Sequence, residues 1–330
     1  MPGPGEVLLR VQSVGICGSD MHLFREGAIG GIPIAEAGEA FTPGHECSAR
    51  VEDAGEGVDR DLVGRTVAVD PSMPCGSCRA CGRGWPNLCT SVRFLGCPPV
   101  QGVLCESFVH PAEGVVPLPE GVDVDWGMML EPLGVAVHAL EIGKVRGPAP
   151  AVVLGSGCIG LCCLMLLAEA GDAPLVVTDV LDYRLDLARE LGATHTLNPL
   201  RDDVPASVEE ITGGAGADFV LECAGQDQTQ RQMAECAAVG GKVLVLGVPE
   251  GGDQLAFSHS GARRKGLSIL MIRRCNVPLQ RVLDRAVSAK LPLSRLVSHR
   301  FALNDVQAAF ETAAGYLDGV VKAAVHPSID

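Results

Sequence analysis

Basic side chains are scarce. Over 330 residues, 26 Lys and Arg stand against 40 Asp and Glu, a formal charge of −14. Nucleic-acid binding needs basic faces that displace counterions, so it is disfavoured. Anionic membrane surfaces are disfavoured for the same reason. Long blocks of like charge are missing and 47% of the chain is hydrophobic, which excludes a disordered, low-complexity protein. The opening Met1-Pro-Gly-Pro-Gly-Glu6 has no basic region followed by an apolar core, so no secretory signal is expected. One nearly uncharged stretch, 151–168, is long enough to resemble a membrane span. Gly155, Gly157 and Gly160 interrupt it, and a strand–turn–helix explains it better. No internal repeat or Ser/Gly linker marks a sharp domain boundary.

The length suggests about two domains, each able to build its own core. Up to about residue 130, short β-type runs at 6–15, 46–53, 65–69 and 105–110 are separated by Gly, Pro and Asp, as in a barrel or sandwich. Apolar residues at helical intervals follow over 126–142. From 151 to 272, strands at 151–154, 175–179, 219–222, 242–247 and 267–272 alternate with helices at 159–170, 181–191 and 226–238. That alternation predicts an α/β unit with a parallel sheet and helices on both faces. Two further helices, 279–289 and 304–314, precede a closing run at 319–326.

Cysteine is abundant, with 14 residues. Without a signal peptide this points to a reducing, cytoplasmic setting, where cysteine spacing speaks of metals rather than disulfides. Cys75, Cys78, Cys81 and Cys89 form a C-x2-C-x2-C-x7-C comb among turn-prone glycines and Pro74. Four thiolates so spaced can surround one zinc ion tetrahedrally, and the pattern also suits an iron–sulfur cluster. With no open position, the role is structural. A second set is weaker: Val14-Gly-Ile-Cys17-Gly-Ser19-Asp20-Met-His22 and Pro43-Gly44-His45-Glu46-Cys47 place Cys, His and Glu where strands end. A catalytic zinc takes three such ligands and keeps a fourth position open.

Ala151-Val-Val-Leu154 leads into Gly155-Ser-Gly157-Cys-Ile-Gly160 and then an apolar helix. The glycines permit a tight turn, close approach of a pyrophosphate and helix–strand packing. Asp179 ends the next strand, placed to accept hydrogen bonds from the adenosine ribose and to repel a 2′-phosphate, so NAD is favoured over NADP. Arg184 is expected to pair with Asp179 or to cover the adenine.

These elements, in this order, resemble the zinc-dependent medium-chain alcohol dehydrogenase family, in particular its sorbitol/polyol dehydrogenase branch. Leu130-Glu131-Pro132-Leu133 and Arg273-Arg274-Cys275-Asn276 add to the match, which spans nearly the whole chain. The resemblance implies a GroES-like β catalytic domain at 1–132 and 273–330, with a Rossmann NAD-binding domain at 133–272 inserted in it. It implies one catalytic and one structural zinc, with Cys17, His45 and Glu46 as ligands of the first. Glu131 falls where related enzymes place a further Cys or Glu ligand. Charge counting favours a distant or water-mediated role for it, because one thiolate and one carboxylate already neutralise Zn²⁺. Ser19 and His22 occupy the family's proton relay. Ile159, Leu246-Gly247-Val248 and Met271-Ile272-Arg273 are implied cofactor contacts, and Arg273 and Arg274 implied substrate contacts.

The implied activity is hydride transfer between NAD and a small secondary alcohol of polyol type, in a homotetramer or a dimer. A threonine or amino-alcohol dehydrogenase of the same family is the alternative, and a non-catalytic dinucleotide-binding scaffold is another. Two positions depart from sorbitol dehydrogenases: Leu23 and Arg274 stand where those carry tyrosine. Arg274 adds a charge that would suit an anionic or more oxidised sugar-type substrate. Family members also carry a strand pair before 6–15, so an exposed strand edge is expected there. The remaining cysteines and His110, His138, His195, His259, His299 and His326 receive no role.

Overall fold

A computed structural model describes residues 1–29, 32–34, 40–249 and 254–327. The chain forms two compact units, Met1–Glu131 with Asn276–Asp330, and Pro132–Cys275. Among the described residues no helix is long and apolar enough to cross a membrane.

The first unit is built on a seven-stranded sheet. Its central strand, Glu6–Gly15, alternates buried and partly exposed residues, so that Val7, Leu9, Val11 and Val14 enter the core with Val51, Val67, Val69 and Val325. The edge expected to be exposed here is covered. Glu46–Ala54 pairs antiparallel along one side of the strand. On the other side Ser107–Pro111 pairs with residues Glu6 to Arg10, and Lys322–His326 pairs at Val14 and Gly15. Strands distant in sequence thus satisfy backbone groups that the local sequence leaves open. The predicted 126–142 helix is two, Val124–Met128 and Leu130–Gly143.

Beneath the sheet lies a buried carboxylate hub. Asp125 accepts hydrogen bonds from Ser13 Oγ at 2.7 Å, His326 Nε2 at 2.7 Å and Arg300 Nε at 2.6 Å. Burial works to raise its pKa, but the His326 and Ser13 bonds and the Arg300 charge prevail and hold it below the ordinary value. His326 therefore has a structural role that its sequence surroundings do not signal.

The second unit holds a six-stranded, wholly parallel sheet. Its order is His195–Leu197, Leu175–Thr178, Ala151–Leu154, Ala217–Glu222, Ala237–Val245, Ser268–Met271. This is the doubly wound order, with the switch between Ala151–Leu154 and Ala217–Glu222. Parallel strands are joined by right-handed crossovers as a rule, and in this order such crossovers would put helices on both faces. The helix Cys158–Glu169 is buried from Gly160 to Leu167, which explains the apolar stretch that mimics a membrane span.

Candidate metal centres and dinucleotide site

The first centre is assembled by register. Gly15 lies opposite Glu46 on one neighbouring strand and opposite Ala324 on the other. A Cβ at Gly15 would lie 2.2 Å from Glu46 Oε2 and 3.0 Å from Lys322 Cε. Only glycine leaves room there for the Lys322–Glu46 ion pair, both partners of which are buried. Lys322 Nζ also donates to the Ile16 carbonyl at 3.0 Å. The chain then turns at Cys17, which caps the helix Gly18–Glu26.

Asp20, in the first turn of that helix, ties the two sequence segments together. Its Oδ2 accepts from the Cys17 backbone N–H at 3.0 Å, and its Oδ1 accepts from the Gly44 N–H at 3.3 Å. The same Oδ1 lies 3.5 Å from His45 Nδ1. As a result the ligand atoms of Cys17, His45 and Glu46 all lie within 4.8 Å of one another. Burial works against charge on His45, yet Asp20 and then Cys17 overcome it and raise the imidazole pKa well above its ordinary value. The pocket thus stabilises positive charge, and its thiol, imidazole and carboxylate suit a zinc ion.

Glu131 is not part of this close set. It opens the helix Leu130–Gly143, and its pKa rises to about 7, chiefly through burial. The charges of Glu46 and Asp70 add to that rise, and those of His45 and Lys322 oppose it. Ser19 and His22 lie three residues apart on the helix Gly18–Glu26, hence on one face. His22 Nδ1 is 3.5 Å from Glu26 Oε1.

The four comb sulfurs form the second set, also within 4.8 Å of one another. Backbone N–H groups point at them: Cys75 N and Ser91 N donate to Cys89 Sγ at 3.3 and 3.4 Å, and Cys78 N donates to Cys75 Sγ at 3.3 Å. Such donors favour thiolates. Hydrogen bonds draw the Cys78 pKa down to about 5, whereas desolvation and the neighbouring thiols push Cys81 up to about 12. A closed, four-sulfur set in which Cys75 and Cys78 are drawn toward thiolate is a fit for structural zinc.

In the parallel sheet, the expected cofactor residues gather at the carboxyl ends of four strands, where open α/β sheets take ligands. Gly155, Gly157, Ile159 and Gly160 follow Ala151–Leu154, and Asp179 follows Leu175–Thr178. Leu246, Gly247 and Val248 follow Ala237–Val245, and Ile272 and Arg273 follow Met271, the last residue of Ser268–Met271. Asp179 Oδ2 accepts from Ser156 N at 2.9 Å and Ser156 Oγ at 3.1 Å, which fastens the glycine turn to the neighbouring strand. Arg184 Nη1 stands 3.8 Å from the same oxygen, and its guanidinium lies over the Tyr183 ring. A Cβ at Gly160 would lie 1.9 Å from the Gly155 carbonyl oxygen. Replacing Gly160 with Ala is therefore expected to distort the turn and weaken NAD binding at least about tenfold. Fluorescence titration of NADH checks this.

Sequence reasoning missed three groups. Lys322 and Asp20 complete the first centre. Glu222 shapes the 223–225 turn: its Oε1 accepts from Ala224 N at 3.0 Å, Gly225 N at 2.8 Å and Thr229 Oγ1 at 2.7 Å. The Cys17–His22 motif contains Asp20, yet nothing in its spacing reveals His45 as the partner.

With this geometry in view, known proteins supply a comparison. The family pattern for the alcohol dehydrogenase GroES-like domain matches residues 3–120, and that for zinc-binding dehydrogenases matches residues 158–288. A sorbitol dehydrogenase of Arabidopsis thaliana is 35% identical over 94% of this chain and 86% of its own length. A zinc-binding dehydrogenase structure from Sinorhizobium meliloti 1021, bound to NADP, superposes with a TM-score of 0.89 at 29% identity. The match covers 99% of this chain and 93% of that one. An Escherichia coli CFT073 structure described as a short chain alcohol dehydrogenase, complexed with NADH, gives 0.87 at 27% identity, with 99% and 93% covered.

Proposed function

The chain belongs to the zinc-dependent medium-chain alcohol dehydrogenase family, and from that premise we propose that it oxidises a secondary alcohol of a polyol or related polyhydroxy compound with NAD. The convergence of Cys17, His45 and Glu46 within 4.8 Å carries this reading. Cys17, His45 and Glu46 would hold the catalytic zinc, with Glu131 nearby but outside the close set. Cys75, Cys78, Cys81 and Cys89 would hold the structural one. When bound, the catalytic zinc supplies a Lewis acid that lowers the pKa of an alcohol.

This chain's residues then account for the rest. Asp20 holds His45 in place, and Lys322 shares the charge of Glu46, which keeps the centre from being fully neutralised. Ser19 Oγ takes the alcohol proton and His22 passes it to water, with Glu26 orienting the ring. The balance is alcohol plus NAD⁺ giving ketone, NADH and one proton. Gly155, Gly157, Ile159 and Gly160 would bind the pyrophosphate side of the cofactor, and Asp179 the adenosine ribose. Arg184, Leu246, Gly247, Val248, Met271, Ile272 and Arg273 complete its contacts. Arg273 and Arg274 would reach substrate hydroxyls, and Arg274 would favour a substrate that also carries an anionic group.

Asp179 anchors the turn as well as offering a ribose acceptor. Asp179→Ala is expected to raise the KM for NAD about tenfold while changing that for NADP less, so the preference relaxes. Unchanged kinetics with both cofactors would count against its role. The function itself is tested by following NADH absorbance over sugar alcohols, inositols, amino alcohols and simple secondary alcohols. Polyols are expected to lead; a preference for threonine would favour the amino-alcohol alternative. We place the enzyme in the cytoplasm because its cysteine spacing speaks of metal ligands rather than disulfides. We expect a homotetramer, with a dimer as the alternative, which light scattering distinguishes.

A further inference from the structure

The parallel sheet of the second unit repeats one local device, a strand, a turn and a helix, on either side of its switch point. On one side Ala151–Leu154 runs through the glycine turn into Cys158–Glu169. On the other, Ala217–Glu222 runs through the 223–225 turn into Asp227–Cys236. In this fold each half of the sheet takes one mononucleotide of a dinucleotide. With the glycine turn and Asp179 assigned to the adenosine side, the second half is left for the nicotinamide mononucleotide.

Glu222, the last residue of its strand, is buried at the centre of that second half. Its Oε1 accepts from Ala224 N at 3.0 Å, Gly225 N at 2.8 Å and Thr229 Oγ1 at 2.7 Å. These two amides are thereby taken, so this turn does not offer them to a phosphate. The backbone carbonyl of the same residue accepts from Leu246 N at 2.8 Å and Gly247 N at 2.9 Å. Two turns thus hang on one residue, and they meet backbone to backbone. A Cβ at Gly225 would lie 2.4 Å from the Val248 carbonyl oxygen, and one at Gly247 would lie 2.2 Å from Gly225 N and 2.5 Å from Glu222 Oε2. That Oε2 is buried without a hydrogen-bond partner. An unsatisfied buried oxygen is unfavourable, so the grip of Oε1 on the turn is what favours a carboxylate here over an apolar side chain. Beside this buried anchor, Leu246 and Gly247 are half-buried and Val248 is exposed.

We propose that Glu222 is a positioning residue for the nicotinamide half of the cofactor: its carboxylate fixes the 223–225 turn against Gly247, and the paired turns set where Leu246, Gly247 and Val248 meet that half. The inference rests on the reading that these three residues contact NAD. It gives the two halves of the cofactor separate anchors, Asp179 for the adenosine side and Glu222 for the nicotinamide side.

The test uses the full-length, zinc-loaded protein as wild type, Glu222→Ala and Thr229→Val. The last removes one donor to Oε1 with little change of shape. NADH is titrated by fluorescence, and AMP, which carries only the adenosine half, is titrated as its competitor. Glu222→Ala is expected to weaken NADH about tenfold and Thr229→Val about threefold, with AMP within about twofold of wild type in both. Equal losses for NADH and AMP, as a general loosening of the unit would give, would overturn the proposal. So would wild-type NADH affinity in Glu222→Ala, or in Thr229→Val where Glu222→Ala gives no folded protein. A wild type that binds neither ligand would instead remove the NAD reading beneath the proposal.

Discussion

Replacing Cys17 with Ala is expected to abolish turnover while leaving NADH affinity within about twofold of wild type. Cys17 supplies the sulfur of the first centre, and its backbone N–H is held by Asp20, which also holds the Gly44–His45 segment. Loss of the thiol leaves one imidazole and one carboxylate, the latter already paired with Lys322. That remnant is a poor zinc site. Lewis-acid assistance contributes several kcal/mol to such a reaction, so a rate loss of about a thousandfold or more follows. The expected dinucleotide contacts, Gly155 to Gly160 and Asp179 among them, belong to the second unit, whereas Cys17 belongs to the first. Single-turnover kinetics and NADH fluorescence, measured on one preparation, separate the two effects. A variant that turned over at the wild-type rate would remove Cys17 from the chemistry.

Replacing Cys78 with Ala should act in the opposite manner, through folding rather than chemistry. Its thiol is drawn to a pKa of about 5 by surrounding donors, and its own N–H bonds Cys75 Sγ. Removing it breaks the four-sulfur shell, and a structural zinc contributes folding free energy outright. We expect loss of one zinc ion, poor soluble yield and a melting temperature lowered by roughly 10 °C or more. What activity survives in the folded fraction should retain its dependence on the first centre. A Cys78→Ala protein as heat-stable as wild type would show that the comb holds no structural metal.

The sequence was informative where chemistry and period coincide. The strand Ala151–Leu154 ends where its apolar run meets Gly155, and the helix that follows begins within a residue of its expected start. The comb is legible because all four ligands fall within one short segment. Cys17, His45 and Glu46 could be grouped only by resemblance, since two strands in register create their proximity. Lys322 was hidden for the same reason: it reaches Glu46 from a strand more than two hundred residues away, and no spacing rule links them. The helix Gly18–Glu26 gives little signal in the sequence because it is short and mixes polar with apolar residues, and its Asp20 and Cys17 cap is a local device of few residues. The edge of Glu6–Gly15 looked open because its cover comes from Ser107–Pro111 and Lys322–His326, neither of which is close in sequence.

Metal stoichiometry reads the central claim directly. Native mass spectrometry of the wild type should find two zinc ions per chain, and Cys17→Ala should retain one, held by an intact comb. A single zinc ion per chain in the wild type, unchanged by Cys17→Ala, would contradict an open catalytic centre in this protein.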